Sequence, residues 1–201
     1  HLIAEQAEKV YELGWTDTLN LPAIMPDNPN PLNLIDWYAA YWVEDADWTP
    51  PASGTAITTL RDGTGGGLDL GQIASVPLPK YVDSVAALDG KPALQFTGTE
   101  VARASFTEFA QPWSVVTVCA PTTVGAARVV GTLSSNNGSG LGMSGSGAWR
   151  LQASTIAIDG GSADTGGHLL AGVAKPASGA VVEADGATVA TGNAGSWGIN
   201  Q

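Results

Sequence analysis

Two histidines, one cysteine and a scatter of carboxylates are the groups in this 201-residue chain that could do chemistry. Zinc needs three or four His, Cys or carboxylate ligands gathered together. His1 and His168 are far apart, and His168 opens an apolar run, so no zinc centre is expected. Calcium is less demanding, because loop carboxylates and carbonyls suffice. The segment IDGGSADTGGH places Asp159 and Asp164 in a Gly-rich loop, and these two are the calcium candidates, weighed against a plain turn. Cys119, in SVVTVCA, has no partner for an internal disulfide. Its apolar setting is that of an inert buried thiol rather than a nucleophile. Gly142-Met143-Ser144-Gly145 starts like a G-x-S-x-G nucleophile elbow, but Ser146 occupies the fifth position. The Gly-rich runs at 62–67 and 144–147 lack the Lys-Ser/Thr of a phosphate loop. No cofactor is expected.

A sugar would find amide and hydroxyl groups in SSNNGSG, residues 134–140, with Asn136 and Asn137 at its centre. Trp149 nearby offers an aromatic platform if it points outward. The competing reading is a core tryptophan, since large aromatics of a β-sandwich mostly pack inside; Trp113 is read as core.

The elements that must position these groups are mainly short strands. Gly and Pro are abundant, and charged residues make up only 13% of the chain. That mixture favours short strands joined by tight turns. The net charge of −11, with eight scattered basic residues, argues against nucleic acid, which needs clustered Lys and Arg. No apolar run reaches the ~20 residues of a membrane span, so no membrane insertion is expected. The chain opens on His1 rather than Met, so the true N-terminus is expected to have been cleaved or left out of this sequence.

Residues 1–14 read as a helix, with Ile3, Ala7 and Val10 on one face, Leu13 beside them and Gly14 as the stop. Residues 15–31 carry four prolines and read as an extended arm or linker. A globular domain is expected over 32–201, opening on LNLIDWYAAYW, with a loop-like region from 44 to 71. Strands are predicted at 93–96, 114–120, 128–133, 140–143, 149–153, 168–174, 180–184 and 187–190, with a weaker one at 156–158. Asp185-Gly186 is a two-residue hairpin turn. In LDGKPALQFTG, Asp89-Gly90 makes a turn, and Leu94 and Phe96 are expected to share a buried face.

These features occur in a recognisable order. LIDWYAAYW with Trp37 and Tyr38, then Gly90 through Gly98, Pro112 through Val118 and the Asp185-Gly186 hairpin resemble the concanavalin A-like, laminin G-like jelly-roll family. The version they are most similar to is found in bacteriophage virion proteins, minor tail proteins above all. The resemblance covers roughly residues 32–195 and implies an all-β jelly-roll sandwich, with the helix and proline arm outside it. The family closes with further strands after that hairpin, so the expectation is that closing strands lie beyond Gln201, that the fold is shortened, or that a neighbouring chain completes the sheet.

The fold family also includes glycoside hydrolases, whose paired acids stand on alternate residues of one strand. Glu44, Asp45 and Asp47 in VEDADW have the wrong spacing and run into a Trp-Thr-Pro-Pro loop, so the expectation is a non-enzyme. The resemblance implies a structural virion protein of a tailed phage, placed in the tail, tail tip or capsid surface. Its expected partners are other virion subunits, including further copies of itself, through Ile3, Ala7, Val10 and Leu13. A host-surface glycan is the further expected partner, through Asn136, Asn137 and Trp149. The alternatives are a carbohydrate-binding or adhesive module of a bacterial surface protein, extracellular or at the cell surface, and a glycoside hydrolase.

Overall fold

The structure is a computed structural model, and it describes residues 49–62, 67–73, 76–104, 111–131, 138–175 and 179–196. The expected helix (1–14), the proline arm (15–31) and Trp37 and Tyr38 lie outside those residues. Thirteen strands and a single 3-10 turn at Ala86–Leu88 make up the described secondary structure, so the fold is all-β. Among the described residues, all strand pairing is antiparallel, in four sheets. The chain divides into two compact units, His1–Ser105 and Phe106–Gln201.

In the first unit, β1 (Thr59–Leu60), β2 (Leu70–Gln72) and β5 (Ala102–Arg103) form one sheet, and β3 (Lys80–Val85) pairs with β4 (Lys91–Gln95). Ile57, Leu60 and Tyr81 form its buried hydrophobic cluster, with Leu70 and Leu94 against them. Part of the stretch expected to be a loop, 44–71, is therefore paired: Thr59 opposes Gly71 and Leu60 opposes Leu70. The Asp62 carboxylate accepts the Leu68 N–H at 3.2 Å, and the Asp62 N–H donates to Asp69 at 2.8 Å, which ties the two strands together.

The LDGKPALQFTG corner follows its sequence in the turn and departs from it at Phe96. Asp89 and Gly90 both take positive φ, 52° and 74°, as a tight turn needs. Leu94 is half-buried, but Phe96 is 50% exposed and does not join it in a core. The strand stops at Gln95, because the next residues fold around Glu100. Its carboxylate accepts the Thr97 N–H at 2.6 Å, the Thr97 hydroxyl and the Thr99 N–H at 3.2 Å. Those hydrogen bonds, the Thr97 hydroxyl first, bring the Glu100 pKa down to about 2.

The second unit is sandwich-like. One sheet is a meander of β7 (Ala127–Gly131), β8 (Gly140–Met143), β9 (Trp149–Gln152) and β10 (Ala157–Gly160). The other has the order β13-β12-β11-β6, from β6 (Trp113–Cys119), β11 (His168–Ala174), β12 (Ala180–Ala184) and β13 (Ala187–Gly192). The chain thus leaves β6, builds the whole opposing sheet and returns as β11, the direct partner of β6. Trp113, Leu170, Ala174 and Val182 from one sheet meet Leu141, Met143, Trp149, Leu151 and Ile158 from the other in a shared core.

Strand alternation builds that core. Directly paired residues point to one face, so Trp113, Val115, Thr117 and Cys119 share a face with Ala174, Gly172, Leu170 and His168. Asp185 and Gly186, at φ 52° and 82°, turn β12 into β13, as type I′ hairpins require. At the sandwich edge β10 and β13 approach so closely that a methyl on Gly160 would overlap the Val189 carbonyl oxygen and sit 2.9 Å from Ala190 Cβ.

Candidate functional site

A cluster of titratable groups among the described residues sits at the end of the sandwich where β11 begins. The strand register brings Cys119 opposite His168, and the edge of the Trp149 ring lies against the imidazole, with centroids 5.0 Å apart. Both ring nitrogens face carboxylates. Nδ1 lies 2.7 Å from Asp185 in the β12–β13 turn, and Nε2 lies 3.0 Å from Asp164 in the loop before β11. Each acid is also held by backbone. Asp185 accepts the Leu169 N–H at 2.9 Å and Asp164 accepts the Gly166 N–H at 2.6 Å.

The electrostatics favour a charged imidazole. Burial works against the charge on His168, but hydrogen bonds to Asp185 and Asp164, and their charges, outweigh it and raise the pKa above 6.5. The Asp164 carboxyl is held below its ordinary range, by the Gly166 N–H first and by His168 second. Cys119 moves the other way: burial, and then the charge of Asp185, push its pKa up to about 11.

That geometry decides what the cluster can do. Thiol catalysis needs an imidazole lone pair directed at the sulfur, and here both nitrogens are committed to carboxylates. The thiol stays protonated at neutral pH, since its pKa is near 11. Ser144 is equally spent: it is 1% exposed, and its hydroxyl accepts the Ala148 N–H at 3.0 Å and pairs with the Ser146 hydroxyl at 2.8 Å. The cluster is built to hold a proton and two chain segments together.

The sequence-derived site residues fare unevenly. Trp149 is 2% exposed in the core, so its reading as a glycan platform is corrected: the β9 register turns it inward, beside Ile158 and Leu170. Asp159 and Asp164 are not gathered as calcium ligands. Asp159 meets Arg150 through two bonds of 2.7 Å, a two-pronged ion pair that lowers its pKa, and Asp164 is bound to His168. Among the described residues, no group of three His, Cys, Asp or Glu could hold a metal ion. Ile3, Ala7, Val10, Leu13, Glu44, Asp45, Asp47, Asn136 and Asn137 lie outside the described residues.

In the second unit the structure adds a buried acid that the sequence pattern does not mark. Glu183 is 7% exposed on β12, at a bulge in its pairing with β13, and its Oε1 accepts the Thr188 hydroxyl at 3.3 Å. Burial raises its pKa, and the Thr188 bond only partly opposes that. The His168 cluster was missed as well, although Asp164 stands four residues before His168 and Asp185 marks a turn beside it. Compared with protein-family models, curated proteins and solved structures, the chain matches none of them.

Proposed function

We propose that this chain is a structural virion protein of a tailed bacteriophage, whose jelly-roll sandwich is displayed on the tail or outer particle surface and contacts host-surface glycans. The observation that carries the reading is the pair of antiparallel four-stranded sheets packed over one core. Two segments of the family resemblance fall within this sandwich: Pro112–Val118 runs into β6 and Asp185-Gly186 is the β12–β13 turn, while Gly90–Gly98 covers β4 of the first unit. The His168 cluster, with both ring nitrogens engaged by internal carboxylates, fits a scaffold rather than a turnover site. The step from sandwich to virion rests on the resemblance, because one fold serves many functions.

The test is incorporation into particles. A chain lacking residues 1–31 should remain folded and soluble and fail to enter particles; normal entry would overturn the assembly role of the N-terminal segment. Absence of the intact chain from purified particles would overturn the virion assignment itself. Binding of the 32–201 segment to an array of host wall polysaccharides is the expected second result, and a clean negative array would remove the glycan from the proposal.

A further inference from the structure

The loop between β10 and β11, residues 161–167, is held by few bonds. The Ala163 N–H donates to the Gly147 carbonyl at 2.8 Å, which seats Ala163 in the core. Gly161, at φ 62°, and the Gly166-Gly167 pair flank the segment, and small residues are common where loops hinge. Its remaining described tie to another element runs through Asp164 to His168.

His168 can satisfy both carboxylates only as an imidazolium, since a neutral ring has one N–H and one lone pair. When a ring proton leaves, one carboxylate must face that lone pair. The structure identifies which. Asp185 is fixed in the hairpin turn: its N–H donates to the Leu169 carbonyl, its carboxylate accepts the Leu169 N–H, and it lies 2.7 Å from Nδ1. Asp164 is 70% exposed, on the loop, and sits at the longer distance of 3.0 Å. The proton therefore stays on Nδ1, and Asp164 loses its donor.

We propose that Asp164, His168 and Asp185 form an alkaline-release latch: charged His168 fastens residues 161–167 to the β12–β13 turn, and loss of its Nε2 proton lets that loop open. The titratable groups facing His168 are Asp164 from the loop, Asp185 from the turn and Cys119 from β6, while β9 presents the uncharged Trp149. The sign follows from linkage. A histidine pKa raised in the closed state stabilises closure at low pH, and that stabilisation is lost as pH rises through the raised pKa, above 6.5. The lowered pKa of Asp164 keeps its carboxylate charged until the pH falls below the ordinary carboxylate range, so the latch is closed between the two.

The test uses the full chain labelled with nitrogen-15. Ring-nitrogen spectra, assigned by comparison with His168→Gln, should show His168 doubly protonated at pH 6 and protonated on Nδ1 at high pH, with a midpoint above that of Asp164→Asn. Amide exchange of residues 161–167, corrected for ordinary base catalysis, should lose about tenfold protection for each pH unit separating those two midpoints. Asp164→Ala, which leaves Nε2 no side-chain partner on the loop, should be open at both pH values with the core strands still protected. A neutral His168 at pH 6, an Nε2–H tautomer, or loop protection independent of the His168 titration would each overturn the proposal.

Discussion

Gly160→Ala gives a sharp test of the sandwich edge. Gly160 ends β10 and faces β13 of the opposite sheet, where an added methyl would overlap the Val189 carbonyl oxygen and lie 2.7 Å from the Val189 carbonyl carbon. The obstacle is backbone, which cannot swing aside like a side-chain tip. Gly160 also lacks the positive φ of its neighbour Gly161, so the substitution probes space rather than backbone conformation. Replacing Gly by Ala at an unstrained site stabilises by about 0.4–1 kcal/mol through the unfolded chain. Forcing a methyl into a filled site costs about 1–3 kcal/mol. The net loss should reach about 1–2 kcal/mol, which for a unit of this size lowers Tm by roughly 5–15 °C. Gly145→Ala is the control, because nothing lies within 4 Å of an added methyl there. Circular dichroism melts of the three proteins should rank Gly145→Ala at or above the parent and Gly160→Ala clearly below it. A Gly160→Ala protein as stable as the control would mean that β10 and β13 do not meet this closely.

Two further outcomes follow from the buried groups. Glu183 has its pKa raised by burial, so its ionisation costs stability as pH climbs above the ordinary glutamate value of 4.5; Glu183→Gln should gain in urea midpoint over the parent at pH 8 and show a smaller difference at pH 4. With a pKa near 11 against the ordinary 9.0, Cys119 should react with iodoacetamide at pH 8 about a hundredfold more slowly than a free thiol, and denaturation should restore the full rate.

Legibility of the fold depended on how apolar each strand is. β8, β11 and β12 have the predicted bounds, because GLGM, HLLAGVA and AVVEA are apolar runs between clear turn residues. β3 was missed: Lys80, Asp83 and Ser84 interrupt its alternation, and only Tyr81 is deeply buried. β1, β2 and β5, of two or three residues each, are too short to show a period. Alternation alone puts Phe96 inside, one residue past the end of β4, because the Glu100 turn that stops the strand depends on side-chain bonds rather than on hydrophobic pattern. The site was less legible still. Asp164 and His168 are close in sequence, but Asp185 joins them only through the β11–β12 pairing, a tertiary fact that hydropathy does not encode.

The long return from β6 to β11 bears on how the chain is made. β6 ends at Cys119 and its partner starts at His168, so roughly fifty residues leave the ribosome before that pairing can form. At about 5–20 residues per second this is a wait of several seconds. During it, the β7–β10 meander, whose neighbours are joined by short connections, closes first, as low-contact-order segments do. β6 meanwhile shows an unpaired edge carrying Val115, Val116 and Val118, the kind of strand that sticks to other nascent chains. Crowded synthesis of many copies therefore exposes this edge to neighbouring chains until β11 arrives to cover it.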